Sequence, residues 1–258
     1  MKLNKRFHNL FADKAERVNV ELLWLGLGYT AVTTSDGGMG LSYTYFDRKS
    51  GCSLVGDYRD YEGKPAGQLL EKIKSSDTIQ RSMALALINA LNYENSILLP
   101  EDRNNDIVFE TLEVGEGTKT AMVGYFGPLV KILEQKKARL EIIDEFGGIG
   151  SKDLFYKKLS NWADVLFLTS TSILNNTAEE ILEKVTTKTK TVLLGPSTPM
   201  VAEAFSHLPV HILAGTVPVE KDGVLKSVRH GLGTRYIHKF SKKSYLICRG
   251  SKPGNEKS

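Results

Sequence analysis

The chain has 258 residues, 41% of them apolar and 25% charged, with a formal net charge of +4; that is the make-up of an ordinary soluble protein with room for one large or two modest domains. No stretch approaches the ~18 consecutive apolar residues of a membrane helix. The opening MKLNKRFHNLFADKAERV mixes charge into its apolar positions rather than forming a signal peptide, so a cytoplasmic protein without a membrane partner is expected.

Leu3, Phe7, Leu10, Phe11 and Val18 recur at helical spacing and predict an opening amphipathic helix. VNVELLWLGLGYTAVTTSDGGMGLSYTYF then reads as two β-rich runs folded into a hairpin at Ser35-Asp36-Gly37-Gly38, where Asp and Gly accept positive φ. A third short strand is expected near Cys52 to Leu54. From Pro65 the pattern becomes helical through Leu69, Leu70 and Ile73, and a second helix is expected after the capping candidate Asp77, through SMALALINALNY, apolar on nearly every side and therefore buried. Strands followed by helices make residues 1–105 an α+β domain. The acidic segment Pro100 to Glu116, punctuated by Asn and Gly, carries the boundary.

Beyond it, TAMVGYFGPLVKIL reads as strand, glycine turn and helix, LEIID as strand, SKDLFYKKL as helix and DVLFLTS as strand. TAEEILEKV (helix), TVLLG (strand), VAEAF (helix) and VHILAG (strand) continue the alternation. Strands this uniformly apolar imply a parallel sheet covered on both faces, so residues 106–258 form a Rossmann-like, doubly wound α/β domain.

In such sheets ligands sit beyond the carboxyl ends of the strands. This selects Gly124-Tyr125-Phe126-Gly127-Pro128, Asp144-Glu145, the hydroxyl-rich Thr169 to Thr177 (TSTSILNNT), and Gly195-Pro196-Ser197-Thr198-Pro199. Asp144 follows Gly124 at about the spacing of a ribose-binding acid, yet G-x-x-G is not the dinucleotide fingerprint. Thr177 with Glu180 suits a capping box, and Ser197 or Thr198 suits a helix cap. GPSTP also suits an anion cradle, whereas a Ser197 nucleophile lacks the G-x-S-x-G setting. His207 and His211 flank Pro209 and share no helix face, so no preformed His or Cys metal site is expected. Cys52 and Cys248 read as free thiols. The late basic run Arg235, Lys239, Lys242, Lys243, Arg249, Lys252 and Lys257, opposed only by Glu256, reads as a solvated face, with no nucleic-acid partner.

GLGYTAVTTSDGGMGLSYT, GYFGPLV, TSTSILNNT, LLGPSTPM and LAGTVP, in that order, resemble the heavy-metal chelation family, which pairs an enolase amino-terminal-like domain with a Rossmann-like one. The resemblance spans nearly the whole chain. It implies a small-molecule site in the cleft between the domains, lined by Gly124, Phe126, Thr169, Ser172, Asn175, Thr177, Gly195, Pro196, Ser197 and Thr198, with Asn89 from the buried helix. The implied partner is an anionic or heterocyclic small molecule, with a metal ion or a metal-chelating metabolite as cofactor class. The chain departs from the family at Ser170 and Asn176, where glycine is usual, and at Asp144-Glu145, which lead into Phe146-Gly147-Gly148. Enolase activity is not implied, because that chemistry belongs to a barrel absent here. Two alternatives stand beside this reading: a Rossmann-type enzyme with a nucleotide-like cofactor held by Asp144, and a non-catalytic interaction protein. The first domain's hairpin leaves a homo-oligomer open.

Overall fold

The computed structural model describes residues 2–46 and 59–248; the strand expected near Cys52 to Leu54, Cys52 itself, and Arg249, Lys252 and Lys257 lie outside them. Helix α1 (Lys2–Ala15) buries Leu3, Phe7, Phe11 and Ala15, with the ring of Phe7 edge-on to Phe205 at 5.6 Å. Residues four apart advance about 40° around a helix at each step. By its third turn the buried stripe has therefore moved off Leu10, which the sequence placed in it and which is 46% exposed.

Strands β1 (Val20–Leu25), β2 (Tyr29–Thr34) and β3 (Met39–Tyr43) form an antiparallel meander in the order β1-β2-β3. The first of the two expected runs is thus two strands, folded over Gly26-Leu27-Gly28, where the Gly26 N–H donates to Tyr29 O at 3.0 Å. The Ser35 to Gly38 turn is as expected: Gly37 takes φ +81°, and Asp36 accepts from the Thr34 hydroxyl at 2.6 Å and the Gly38 amide at 3.3 Å.

After a short helix α2 (Gly67–Leu70) and a 3₁₀ turn over Glu71–Lys74, Asp77 caps α3 (Thr78–Leu91), accepting from Ile79 N at 2.8 Å and Gln80 N at 3.2 Å. This helix lies directly on the meander. Gly38 and Gly40, two apart on one strand face, meet Ala86 and Ala90, four apart on one helix face. A Cβ on Gly40 would fall 2.1 Å from Ala86 O, and one on Gly38 2.3 Å from Ala90 O, so only glycine permits this approach.

Helices α4 (Tyr93–Ser96) and α5 (Asp106–Thr111) follow. The segment expected to carry the domain boundary is packed: Val108, Phe109, Leu112 and Val114 are buried, and Asp102 N donates to Lys243 O at 2.9 Å. The second sheet then builds from β4 (Lys119–Val123), α6 (Gly127–Gln135), β5 (Arg139–Ile143), α7 (Lys152–Asn161) and β6 (Val165–Thr169). It continues with α8 (Thr171–Leu174), α9 (Ala178–Leu182), β7 (Lys190–Leu194) and β8 (Ile212–Pro218), and finally α10 (Lys221–Arg229), α11 (Thr234–Ile237) and β9 (Ser241–Ile247). VAEAF, expected as an α-helix, is a 3₁₀ turn over Ala202–Phe205. Strand order is β5-β4-β6-β7-β8-β9, parallel except for β9, an antiparallel edge strand that carries part of the basic run.

Alternation along the central strands gives the sheet two apolar faces. Val165 and Phe167 pack with Val108, Phe109, Leu129 and Leu133 of α5 and α6. Leu166 and Leu168 join the core that reaches back to Leu3, Phe7, Leu85 and Ile88. This is the mixed α/β, doubly wound architecture expected, with a smaller α+β portion packed on one face of the parallel sheet.

Candidate functional site

The chain leaves β4 for β5 on one side and crosses back to β6 on the other, so the loops after β4 and β6 diverge and open a crevice at the strands' carboxyl ends. Gly124 ends β4 with φ +86°, and a Cβ there would lie 3.1 Å from Thr169 Cβ. The absence of a side chain lets the two loops touch. Pro128 occupies the first turn of α6. Asp144 pins the first loop from β5: one carboxylate oxygen accepts from Tyr125 N at 2.8 Å and the other from Gly147 N at 2.9 Å.

The loop from Thr169 to Thr177 is tied largely to itself. Thr169 and Thr171 share a hydroxyl pair at 3.0 Å, the Ser172 hydroxyl donates to Thr169 O at 2.6 Å, and Asn175 Oδ1 accepts from Thr177 N at 3.2 Å and from the Thr177 hydroxyl at 2.7 Å. The expected capping box is therefore not formed: the Thr177 side chain makes no cap bond, and Glu180 pairs with Lys152 at 3.2 Å instead. Asn176 takes φ +63°, and asparagine tolerates this left-handed conformation where the family resemblance places glycine. At Ser170 the exchange is reciprocal, since the opposing residue is Gly195, at φ +129°, whose Cβ would come 2.8 Å from Ser170 Oγ.

Two adjoining cavities occupy the crevice. The first, about 420 Å³, brings together Gly124, Phe126, Thr169, Ser172, Asn175 and Thr177 from the sequence candidates. The second, about 630 Å³, is lined by Phe126, Thr169, Gly195, Pro196 and Ser197. Ser197 and Thr198 do not cap the helical turn that follows. The Ser197 hydroxyl accepts from Tyr43 N at 2.7 Å, tethering β3 to the β7 loop. Asn89 and Thr198 line neither cavity. Asn89 Nδ2 donates to Leu41 O at 2.8 Å and Ser197 O at 3.3 Å, a brace between helix, strand and loop, while the buried Thr198 hydroxyl has no partner among the described residues.

Sequence reasoning missed the aromatic wall. Tyr29, Tyr43, Tyr45 and Phe146 form a chain of edge-on rings with centroids 6.0, 6.4 and 5.4 Å apart, and Tyr125 and Tyr156 complete the first cavity. The signal was present in S-Y-T-Y-F, where alternate tyrosines at the end of a strand share one face. Asn175 Nδ2 reaches the Tyr45 hydroxyl at 3.5 Å. Burial raises the Tyr156 hydroxyl pKa, with Glu180 adding to the effect.

His238, in the wall of the second cavity, pairs with the Thr216 hydroxyl at 3.1 Å. Burial, with Lys243 nearby, lowers its pKa from 6.5 to about 4. The unfolded chain thus binds a proton that the folded one refuses across that window, so this contribution to stability is intact above pH 6.5 and is lost as pH falls toward 4. The group is partly solvated, which reduces the loss to about 1–2 kcal/mol. Urea melts of His238→Gln should be flatter than wild type between pH 6.5 and 4; parallel curves would remove His238 as the source. Cys248 is free, and burial pushes its thiol up to about 11, so it stays protonated at neutral pH.

Among the described residues, no three His, Cys, Asp or Glu side chains come together to hold a metal ion. Asp144, in the first cavity, is engaged with backbone amides, and the described residues that line this cavity include none of the soft or imidazole donors that heavy metals prefer.

The class defined by this fold is an α/β protein with a crevice at the switch point of a doubly wound sheet. A family model described as "Putative heavy-metal chelation" matches residues 107–247, more than half of the chain, and a second model with the same description matches residues 8–92. The chain belongs to this family. It is similar to a crystal structure of a DUF364-family protein with unknown function from Pyrococcus horikoshii, with a TM-score of 0.80 at 21% identity, covering 96% of this chain and 100% of that one. A second DUF364-family structure, from Desulfitobacterium hafniense, gives 0.74 at 19% identity, covering 93% and 97%. An uncharacterized protein of Methanocaldococcus jannaschii is 24% identical over 253 residues, covering 93% of this chain and 95% of its own length.

Proposed function

We propose that the protein binds a small heterocyclic metabolite in the first cavity, in the cleft between its two domains, and handles a heavy metal through that ligand rather than through its own side chains. The carrying observation is the composition of the cavity. Flat aromatic walls from Tyr43, Tyr45, Tyr125 and Phe146 face the amide and hydroxyls of Asn175, Thr169 and Thr171, a combination that stacks a planar ring and reads polar atoms at its edge. The family description supplies the link to metal. The donor set disfavours direct coordination by the described residues, so a chelator that carries its own ligands reconciles the two.

Neutral planar chelators, 8-hydroxyquinoline and 2,2′-bipyridine, are suitable probes, each titrated calorimetrically with and without equimolar Zn²⁺. Binding to wild type is expected, with Asn175→Ala weakening it by about tenfold through loss of one buried hydrogen-bonding group. Equal affinity of a folded Asn175→Ala variant would reject this site. The nucleotide-cofactor reading is disfavoured by Asp144, whose two oxygens already serve Tyr125 N and Gly147 N.

A further inference from the structure

The second cavity has a different chemistry from the first. Its floor is apolar, with Val108, Leu129, Leu194 and Ala214, and its rim carries Arg235 from α11 and Lys243 from β9. Neither cation is in an ion pair among the described residues. The acid in this wall is Asp102, whose Oδ2 accepts from Val108 N at 3.0 Å. His238 is kept neutral there by burial. Two positive charges thus meet one carboxylate that already serves a backbone amide.

Two further observations point the same way. Ser170 is 1% exposed and lies in the cavity wall, yet its hydroxyl does not cap α8 and makes no hydrogen bond among the described residues. Buried hydroxyls are ordinarily paired, so a lone one facing a cavity marks a place for an acceptor. Opposite it stands Gly195, whose missing Cβ leaves open the space beside Ser170 Oγ. Helix α6 starts in the same wall at Gly127 and Pro128, with the positive end of its dipole there.

We propose that the second cavity is a separate binding site for an organic anion, a carboxylate or phosphate carried on an apolar body, held by Arg235 and Lys243 at the rim and by Ser170 within. The late basic run that reads in sequence as a solvated face is, at these two positions, the electrostatic half of a pocket. The site does not depend on the reading given for the first cavity, because its determinants come from α11, β9 and Ser170.

The test uses benzoate and phenyl phosphate as probes, inorganic phosphate as the bare anion and benzyl alcohol as the uncharged body, each titrated against the full-length chain. Benzoate or phenyl phosphate should bind at sub-millimolar to millimolar levels, the tighter of the two identifying the anion. Arg235→Gln with Lys243→Gln should weaken that probe by about tenfold or more and remove the salt dependence of its affinity. Ser170→Ala should weaken it by several fold. Asn175→Ala, in the first cavity alone, should leave it unchanged. Both rim residues are solvent-accessible, so the double variant is expected to fold; an unaltered melting temperature checks this. Benzyl alcohol binding as tightly as benzoate, or anion affinity unaltered in the folded double variant, would overturn the proposal. So would absence of binding by both organic anions at millimolar levels. Inorganic phosphate equalling phenyl phosphate would equally defeat the organic-anion assignment. Weakened 8-hydroxyquinoline binding in Asn175→Ala, with anion binding retained, separates the fate of the two cavities.

Discussion

Gly40→Ala is expected to destabilise the protein by about 4 kcal/mol or more, a large fraction of what an ordinary domain has. The added Cβ would stand 2.1 Å from Ala86 O and 2.3 Å from Ala90 N, both main-chain atoms, so no rotamer change relieves it. Relief requires α3 to lift off β3, which opens the core around Met83, Leu87 and Ile88. For a chain of this size, such a loss lowers the melting temperature by roughly 8–16 °C. Gly28→Ala is the control: no atom lies within 4 Å of its Cβ position, so a near-neutral change is expected there. Differential scanning calorimetry of the two variants decides the matter, and similar melting temperatures would contradict the steric account.

The second large effect is on binding. Gly124→Val places a β-branched residue at φ +86° and pushes its Cβ to within 3.1 Å of Thr169 Cβ and 3.2 Å of Thr169 Cγ2. The backbone strain alone is about 1–3 kcal/mol. The clash moves Thr169, which lines both cavities, away from the β4 loop. Binding of 8-hydroxyquinoline in the first cavity is expected to fall by roughly a hundredfold or more, the equivalent of about 3 kcal/mol. Gly63→Ala separates strain from clash, since Gly63 also has positive φ, +74°, with nothing within 4 Å of its Cβ position. That variant should lose stability modestly and keep wild-type affinity. Titration of both variants gives the answer; wild-type affinity in folded Gly124→Val would remove the β4 loop from the site.

The candidate residues divide by the kind of signal they carried. Gly124, Phe126, Thr169 and Asn175 were legible because the end of an apolar strand followed by small, hydroxylated or amide residues marks the carboxyl edge of a parallel sheet, and that edge is where they lie. Asn89 came from the family resemblance and Thr198 from the same strand-end rule, and the structure places both outside the cavities. The cap assigned to Thr177 failed because its backbone is already in the helical region (φ −98°, ψ −10°) rather than the extended one a capping threonine adopts, and its hydroxyl donates back to Asn175 Oδ1. The Tyr43 and Tyr45 pair at the end of β3, Phe146 after β5, Arg235 on α11 and Lys243 on β9 went unseen as site residues because these elements meet at the crevice only in the fold, and a single sequence gives no measure of such distances.

By itself the sequence determined the elements whose cause is local: the α1 stripe, the Asp77 cap, the Ser35 to Gly38 turn, and the alternation of buried strands and helices that makes a doubly wound sheet. These follow from side-chain period, φ preference and hydrogen bonds a few residues long. The tertiary structure alone decided that the boundary segment packs as α5, that β9 closes the sheet antiparallel, and that the tyrosines of β3 meet the loops of β5 and β6. It also decided the pairing of Gly195 with Ser170 and the gathering of Arg235 and Lys243 at one rim. Those outcomes are set by strand order and by which faces share a core, which depend on the summed burial of residues far apart in the chain and on no short pattern within it.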